Sequence, residues 1–146
     1  MRPLLAIAVL SVGWTPVQAF ELVSTQEMLA SMAAPEPLRA KAGIQPGAPV
    51  IEVVRPKLSA PISSPSTIEL LFQSAAPSAV RPETFKAFYG RLRIDITPRL
   101  LNATQVTAQG ITVKEASLPK GSHRLLLSIE DSEGRQGQKM LEFEVN

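Results

Sequence analysis

The chain has no cysteine among its 146 residues, a single histidine, tryptophan and tyrosine, and no apolar run long enough to cross a bilayer as a helix. Each absence removes a class of explanation. Without cysteine no disulfide can staple the fold and a Cys/His zinc site has no ligand set. Stability must then come from burying aliphatic surface, at about 25 cal/mol per Å². The longest apolar stretch, Leu4 to Gly13, is far short of the roughly 20 residues a membrane helix needs. Basic and acidic side chains nearly balance, 15 against 13, so long-range attraction for nucleic acid or anionic lipid is weak and neither is expected as a partner. There is no glycine-rich phosphate loop and no Gly-x-Ser-x-Gly elbow to present a nucleophile.

The opening "MRPLLAIAVLSVGWTPVQAF" sets one arginine before a short apolar run and then Val17-Gln18-Ala19. That is the pattern of a cleavable secretory leader over residues 1–19, which predicts a periplasmic or secreted protein beginning at Phe20. No cysteine stands near the cleavage point to carry a lipid. Arg2 and Trp14 leave with the leader, so the formal charge falls from +2 to +1 and no tryptophan remains to stack on a sugar ring. Residues 20–34 then predict a short amphipathic helix, with Ser24 as N-cap, Glu27 completing a capping box and Val23 and Met28 at staple positions. So short a helix persists only if it docks, and the sequence leaves open whether on its own domain or on a partner. Residues 35–48, rich in Pro, Gly and Ala, suit an extended linker.

Residues 49–146 have another texture: short apolar-alternating runs punctuated by Pro, Gly, Ser and Asn. About seven such runs predict an all-β, immunoglobulin-like antiparallel sandwich. Side-chain alternation assigns the inward faces: Ile51 and Val53; Ile68, Leu70 and Phe72; Phe85, Ala87 and Tyr89; Ile111 and Val113; Leu125, Leu127 and Ile129; Leu141, Phe143 and Val145. "RLRIDIT" gives the cleanest alternation, with Leu92, Ile94 and Ile96 inward, Arg91, Arg93, Asp95 and Thr97 outward, and Pro98 as the stop.

"KGSHRLLLSIEDSEGR" holds serine, histidine and aspartate close together. On a strand Ser122 and His123 face opposite ways, and Asp131 lies nine residues beyond Ser122, roughly 30 Å away at about 3.3 Å per residue. These three residues cannot form a triad with one another, because each link needs about 3 Å. His123 shares parity with Leu125 and should sit at the rim of the core, bonded to backbone. "EDSEGR" reads as a hairpin turn, with Gly134 supplying positive φ.

The run "FYGRLRIDIT", then "QGITVKEASLPKGSHRLLLSIEDSEGR" and the closing "LEFEV" resemble the second half of bacterial immunoglobulin-like domains, relatives in architecture of fibronectin type III domains. The positions that carry the resemblance are Gly90, Asp95, Ile96, Thr97, Gly110, Ile111, Leu118, Pro119, Gly121, His123, Asp131 and Gly134, across residues 82–146; residues 49–74 join only by patterning. The resemblance implies a spacer, adhesion, carbohydrate-contact or accessory module with no shared active site. The Cys…Trp…Cys core of antibody domains is missing.

The expected function is therefore a non-catalytic envelope module without cofactor, contacting another envelope or secreted protein. Arg91, Arg93, Asp95 and Arg99 are the candidate contact residues, because arginine grips carboxylates bidentately and is enriched at interfaces. The alternative is a carrier of copper or another small ligand, using His123 or the Met28/Met32 pair at helical i, i+4 spacing.

Overall fold

The computed structural model describes Gly13 and residues 20–38 and 45–146, so the predicted leader, apart from Gly13, and the middle of the linker lie outside the described residues. The described chain is an all-β sandwich of two four-stranded sheets with two short helices. The first sheet has the order β1 (Phe20–Glu21), β6 (Gly110–Ser117), β3 (Ser66–Gln73), β2 (Val50–Arg55). The second runs β5 (Ile94–Asp95), β4 (Val80–Tyr89), β7 (Gly121–Asp131), β8 (Gln136–Val145). Among these strands all pairings are antiparallel except β1 on β6, and an isolated parallel bridge joins Ile62 to Val145.

The period-two pattern buries the residues it marks. Ile51, Leu70, Phe72, Phe85, Ala87, Tyr89, Ile111, Val113, Leu125, Leu127, Ile129, Leu141, Phe143 and Val145 form the layer between the sheets, with Val53 and Ile68 partly covered at its margin. Phe72 and Phe85 meet across the layer at 5.7 Å between centroids. The hairpin between β7 and β8 turns at Asp131, whose carbonyl accepts from Gly134 N–H at 3.0 Å, and Gly134 has φ +76°.

One run departs from the expectation. "RLRIDIT" is not a strand: only Ile94 and Asp95 pair with β4, Leu92 is 53 % exposed, and Thr97 is buried rather than outward. A tight turn comes first, with Arg93 N–H donating to Gly90 O at 3.2 Å and Arg93 at φ +50°. A helix follows, α2 (Thr97–Ala103), with Pro98 in its first turn, where a missing N–H costs nothing. Pro98 thus opens a helix where the alternation predicted the end of a strand. Thr97 fastens this helix to β4 through its hydroxyl, which accepts from Ala87 N–H at 2.9 Å. Ile96 and Leu100, one turn apart, enter the core.

The amino-terminal helix docks on its own sandwich. In α1 (Thr25–Ala33), Ser24 Oγ accepts from Glu27 N–H at 3.1 Å while Glu27 Oε2 accepts from Ser24 N–H at 2.9 Å, the complete capping box. Pro35 disfavours helical backbone at Ala34, whose ψ is 148°. Leu22 and Val23, each 1 % exposed, belong to the common core, and Met28 joins them. Two glycines make room for the helix. A Cβ on Gly90 would lie 2.1 Å from Ser31 Oγ, and one on Gly121 would lie 3.2 Å from Met28 Sδ.

Candidate functional site

Polar side chains gather at the end of the sandwich where α1 sits. A cleft of about 470 Å³ opens there, bounded by Ser31 and Met32 of α1, residues 58–61, the start of β7 and the end of β8. His123 and Tyr89 form part of its floor.

His123 is only 4 % exposed and both ring nitrogens are engaged. Nε2 lies 2.6 Å from Pro119 O, which can only accept, so Nε2 carries the proton. Nδ1, 2.8 Å from Tyr89 Oη, is then the acceptor for the phenol. The ring also stacks on Phe143 at 5.6 Å. Burial pushes the imidazole below its ordinary pKa, against the pull of the Pro119 carbonyl and the Glu144 charge. Burial first, and then the Glu27 charge, push the Tyr89 phenol up to about 12. A neutral histidine and a neutral tyrosine locked together serve the packing of this end. The histidine lies deeper than the rim position its parity suggests.

Ser122 is exposed on the opposite face and donates to Glu144. Asp131, fully buried, is the organiser of the hairpin: its carboxylate accepts from Glu133 N–H at 3.0 Å, Arg135 N–H at 2.9 Å and Arg135 Nε at 2.8 Å. The serine, histidine and aspartate therefore belong to three separate bonding groups. Met28 and Met32 are also divided, the first 7 % exposed beneath the helix and the second 54 % exposed above it. Among the described residues no three His, Cys, Asp or Glu side chains gather where a metal could be held, and no buried side-chain nitrogen or oxygen is left without a hydrogen bond.

The four candidate contact residues separate as well. Arg99 grips Glu27 with both terminal nitrogens, at 2.8 and 2.5 Å, and also donates to Leu22 O at 3.1 Å. The Arg99 bond is the main cause that draws the Glu27 carboxyl down to about 2. Arg91 closes the other end of α1, donating to Met32 O at 3.3 Å and Ala34 O at 3.0 Å, with Nε 3.2 Å from Glu36. Asp95 accepts from Thr97 N–H at 2.9 Å at the entrance of α2. Arg93 lies exposed in the turn. Parity along a presumed strand had grouped these side chains; the turn and the helix send them to different tasks. Arg124, which sequence reading passed over as one residue of a β-run, also pairs with Glu36 and lies 3.1 Å from Glu142. Glu36 thus sits between two guanidinium groups.

A second feature is the edge of β8. Its register with β7 is continuous from Val145 back to Gln136. Glu144 O accepts from Ile62 N–H on the side away from β7, and Gln136 N–H turns the same way to reach Gln45 Oε1. In an antiparallel strand N–H and C=O of one residue point to the same side and alternate from residue to residue. The backbone groups of Gln138, Met140 and Glu142 therefore face outward, and no described residue pairs with them. Beside the start of this edge, residues 45–51 and 136–139 enclose a groove of about 700 Å³. Compared with known proteins, the chain matches no family model, no curated protein and no solved structure.

Proposed function

We propose that the chain is an exported, non-catalytic immunoglobulin-like module that binds another envelope or secreted protein by accepting an extended segment along β8. The observation that carries this reading is the outward backbone of Gln138, Met140 and Glu142, which no described residue pairs with. An open edge is a template for strand addition, in which main-chain bonds supply affinity. Lys139 adds selectivity. By parity it points toward the core, yet it is exposed beside the groove. A charge so placed discourages indiscriminate pairing and favours a partner strand that brings a carboxylate. The immunoglobulin-like assignment draws support from the sequence resemblance and from the strand order, β6-β3-β2 against β4-β7-β8, which parallels sandwiches whose strands A, B and E face C, F and G. Export draws on the leader-like first residues.

The test uses Met140→Pro. Proline there removes an N–H that faces away from β7, so the β7–β8 ladder keeps its bonds while the template loses a donor. Capture from envelope extract, followed by direct titration of the recovered protein, is expected to show at least a tenfold loss for the variant with circular dichroism unchanged. Equal affinity for both chains would remove β8 from the interface.

A further inference from the structure

The cleft, the β8 edge and the Glu36 clamp are the features not consumed by folding, and the clamp carries the most. We propose that Arg91 and Arg124 form a receptor for an extended acidic peptide in which a glutamate lies between prolines, and that the chain's own Pro35-Glu36-Pro37 fills it in cis. This surface adjoins the end of β8 through the Glu142 side chain, but it uses side-chain charge rather than the outward backbone of that strand and does not depend on that reading.

Each guanidinium group has an anchor other than Glu36. Arg91 is anchored by the carbonyls at the end of α1 and by its backbone N–H, which donates to Ser31 Oγ at 2.8 Å. Arg124 is anchored across the strand pair by Glu142 at 3.1 Å. Each then meets a different oxygen of Glu36, Arg124 at Oε1 and Arg91 at Oε2. Donors with such anchors lose less freedom on binding, and arginine suits this planar grip.

The resident occupant identifies the chemistry. Residues 35–38 are neither helix nor strand, and prolines on both sides hold Glu36 in extended backbone. Yet the cis contact is shallow. The Glu36 side chain keeps 49 % of its exposure and Leu38 is 95 % exposed, so among the described residues of the tether no apolar side chain enters the neighbouring cleft. Exposed ion pairs stabilise weakly, so a peptide from outside can displace the tether if it adds apolar contact with Met32, Leu58, Pro61 or Phe143.

The probe is the acetylated, amidated pentapeptide of residues 34–38, APEPL, titrated against the full-length chain and its Glu36→Gln variant by NMR shift changes. Removing the internal competitor should raise affinity by about two- to sevenfold over wild type. The same peptide with glutamine in place of glutamate should not bind, and adding Arg124→Gln to Glu36→Gln should abolish binding, with Arg124→Lys restoring part of it. The Met140→Pro chain should bind APEPL as wild type does, which separates this site from β8. Equal affinity of wild type and Glu36→Gln, no binding to Glu36→Gln at millimolar peptide, or equal binding of the glutamine peptide would each overturn the proposal.

Discussion

The Glu27–Arg99 pair ties the first helix to the second, and a double-mutant cycle measures that tie. Glu27→Gln is the informative change, because glutamine can still accept from Ser24 N–H in a capping box while the charge facing Arg99 is gone. Arg99 holds the carboxylate through two bonds at 2.8 and 2.5 Å, with side-chain exposures of 37 % and 23 % for Arg99 and Glu27. The carboxyl, normally near 4.5, is drawn to about 2, chiefly by the Arg99 hydrogen bond and against partial burial. A shift of that size corresponds to about 3 kcal/mol at full strength. Solvent reaches both partners and screens the pair, which leaves about 1–2 kcal/mol. A folded-state pKa below the unfolded one means stabilisation that is present above pH 4.5 and is lost as pH falls toward 2. Urea denaturation of wild type, Glu27→Gln, Arg99→Met and the double variant should give a coupling of about 1–2 kcal/mol at pH 7, falling to about 0.4 kcal/mol or less at pH 2. The single Glu27→Gln change should lower Tm by roughly 5–10 °C. Coupling below about 0.3 kcal/mol at pH 7, or equal coupling at both pH values, would refute the reasoning.

Gly90→Ala should cost about 2–3 kcal/mol by denaturation, because φ is +69° there and the new methyl would sit 2.1 Å from Ser31 Oγ, lifting α1; amide exchange should show the loss concentrated in residues 25–33. Tyr89→Phe leaves His123 Nδ1 buried without its 2.8 Å partner and should destabilise by about 1–3 kcal/mol in the same assay. Ile96→Ala, at a fully buried site, should cost about 2–5 kcal/mol. Leu92→Ser, at a site 53 % exposed, should stay within about 0.5 kcal/mol. Equal losses at positions 92 and 96 would restore the strand that the alternation suggested.

Local chemistry alone determined much of this protein. The capping box is written in Ser24 and Glu27, because its bonds span three residues and need nothing distant. The inward faces of the long strands follow from a two-residue period that burial enforces, and the hairpin after Asp131 follows from its turn residues. In "RLRIDITP" the same period misled, since Leu92, Ile94 and Ile96 alternate by coincidence across a turn and a helix start. The cue that outweighs it is Pro98 followed by Leu100, one helical turn beyond Ile96.

The site belongs to the tertiary level. Arg91 and Arg124 stand 33 positions apart in sequence, and neither is marked by its neighbours. They meet over Glu36 because Gly90 and Gly121 leave space for α1 to lie across the end of the sandwich, which carries the tether to them. Likewise, nothing in "QGQKMLEFEV" says that one side of the strand is left open among the described residues. That is decided by which strand the chain places beside β8, and here Ile62 reaches only its last residues. Spacing along the chain dictates what forms within a few residues, while pairing between distant segments dictates which charges and backbone groups remain for a partner.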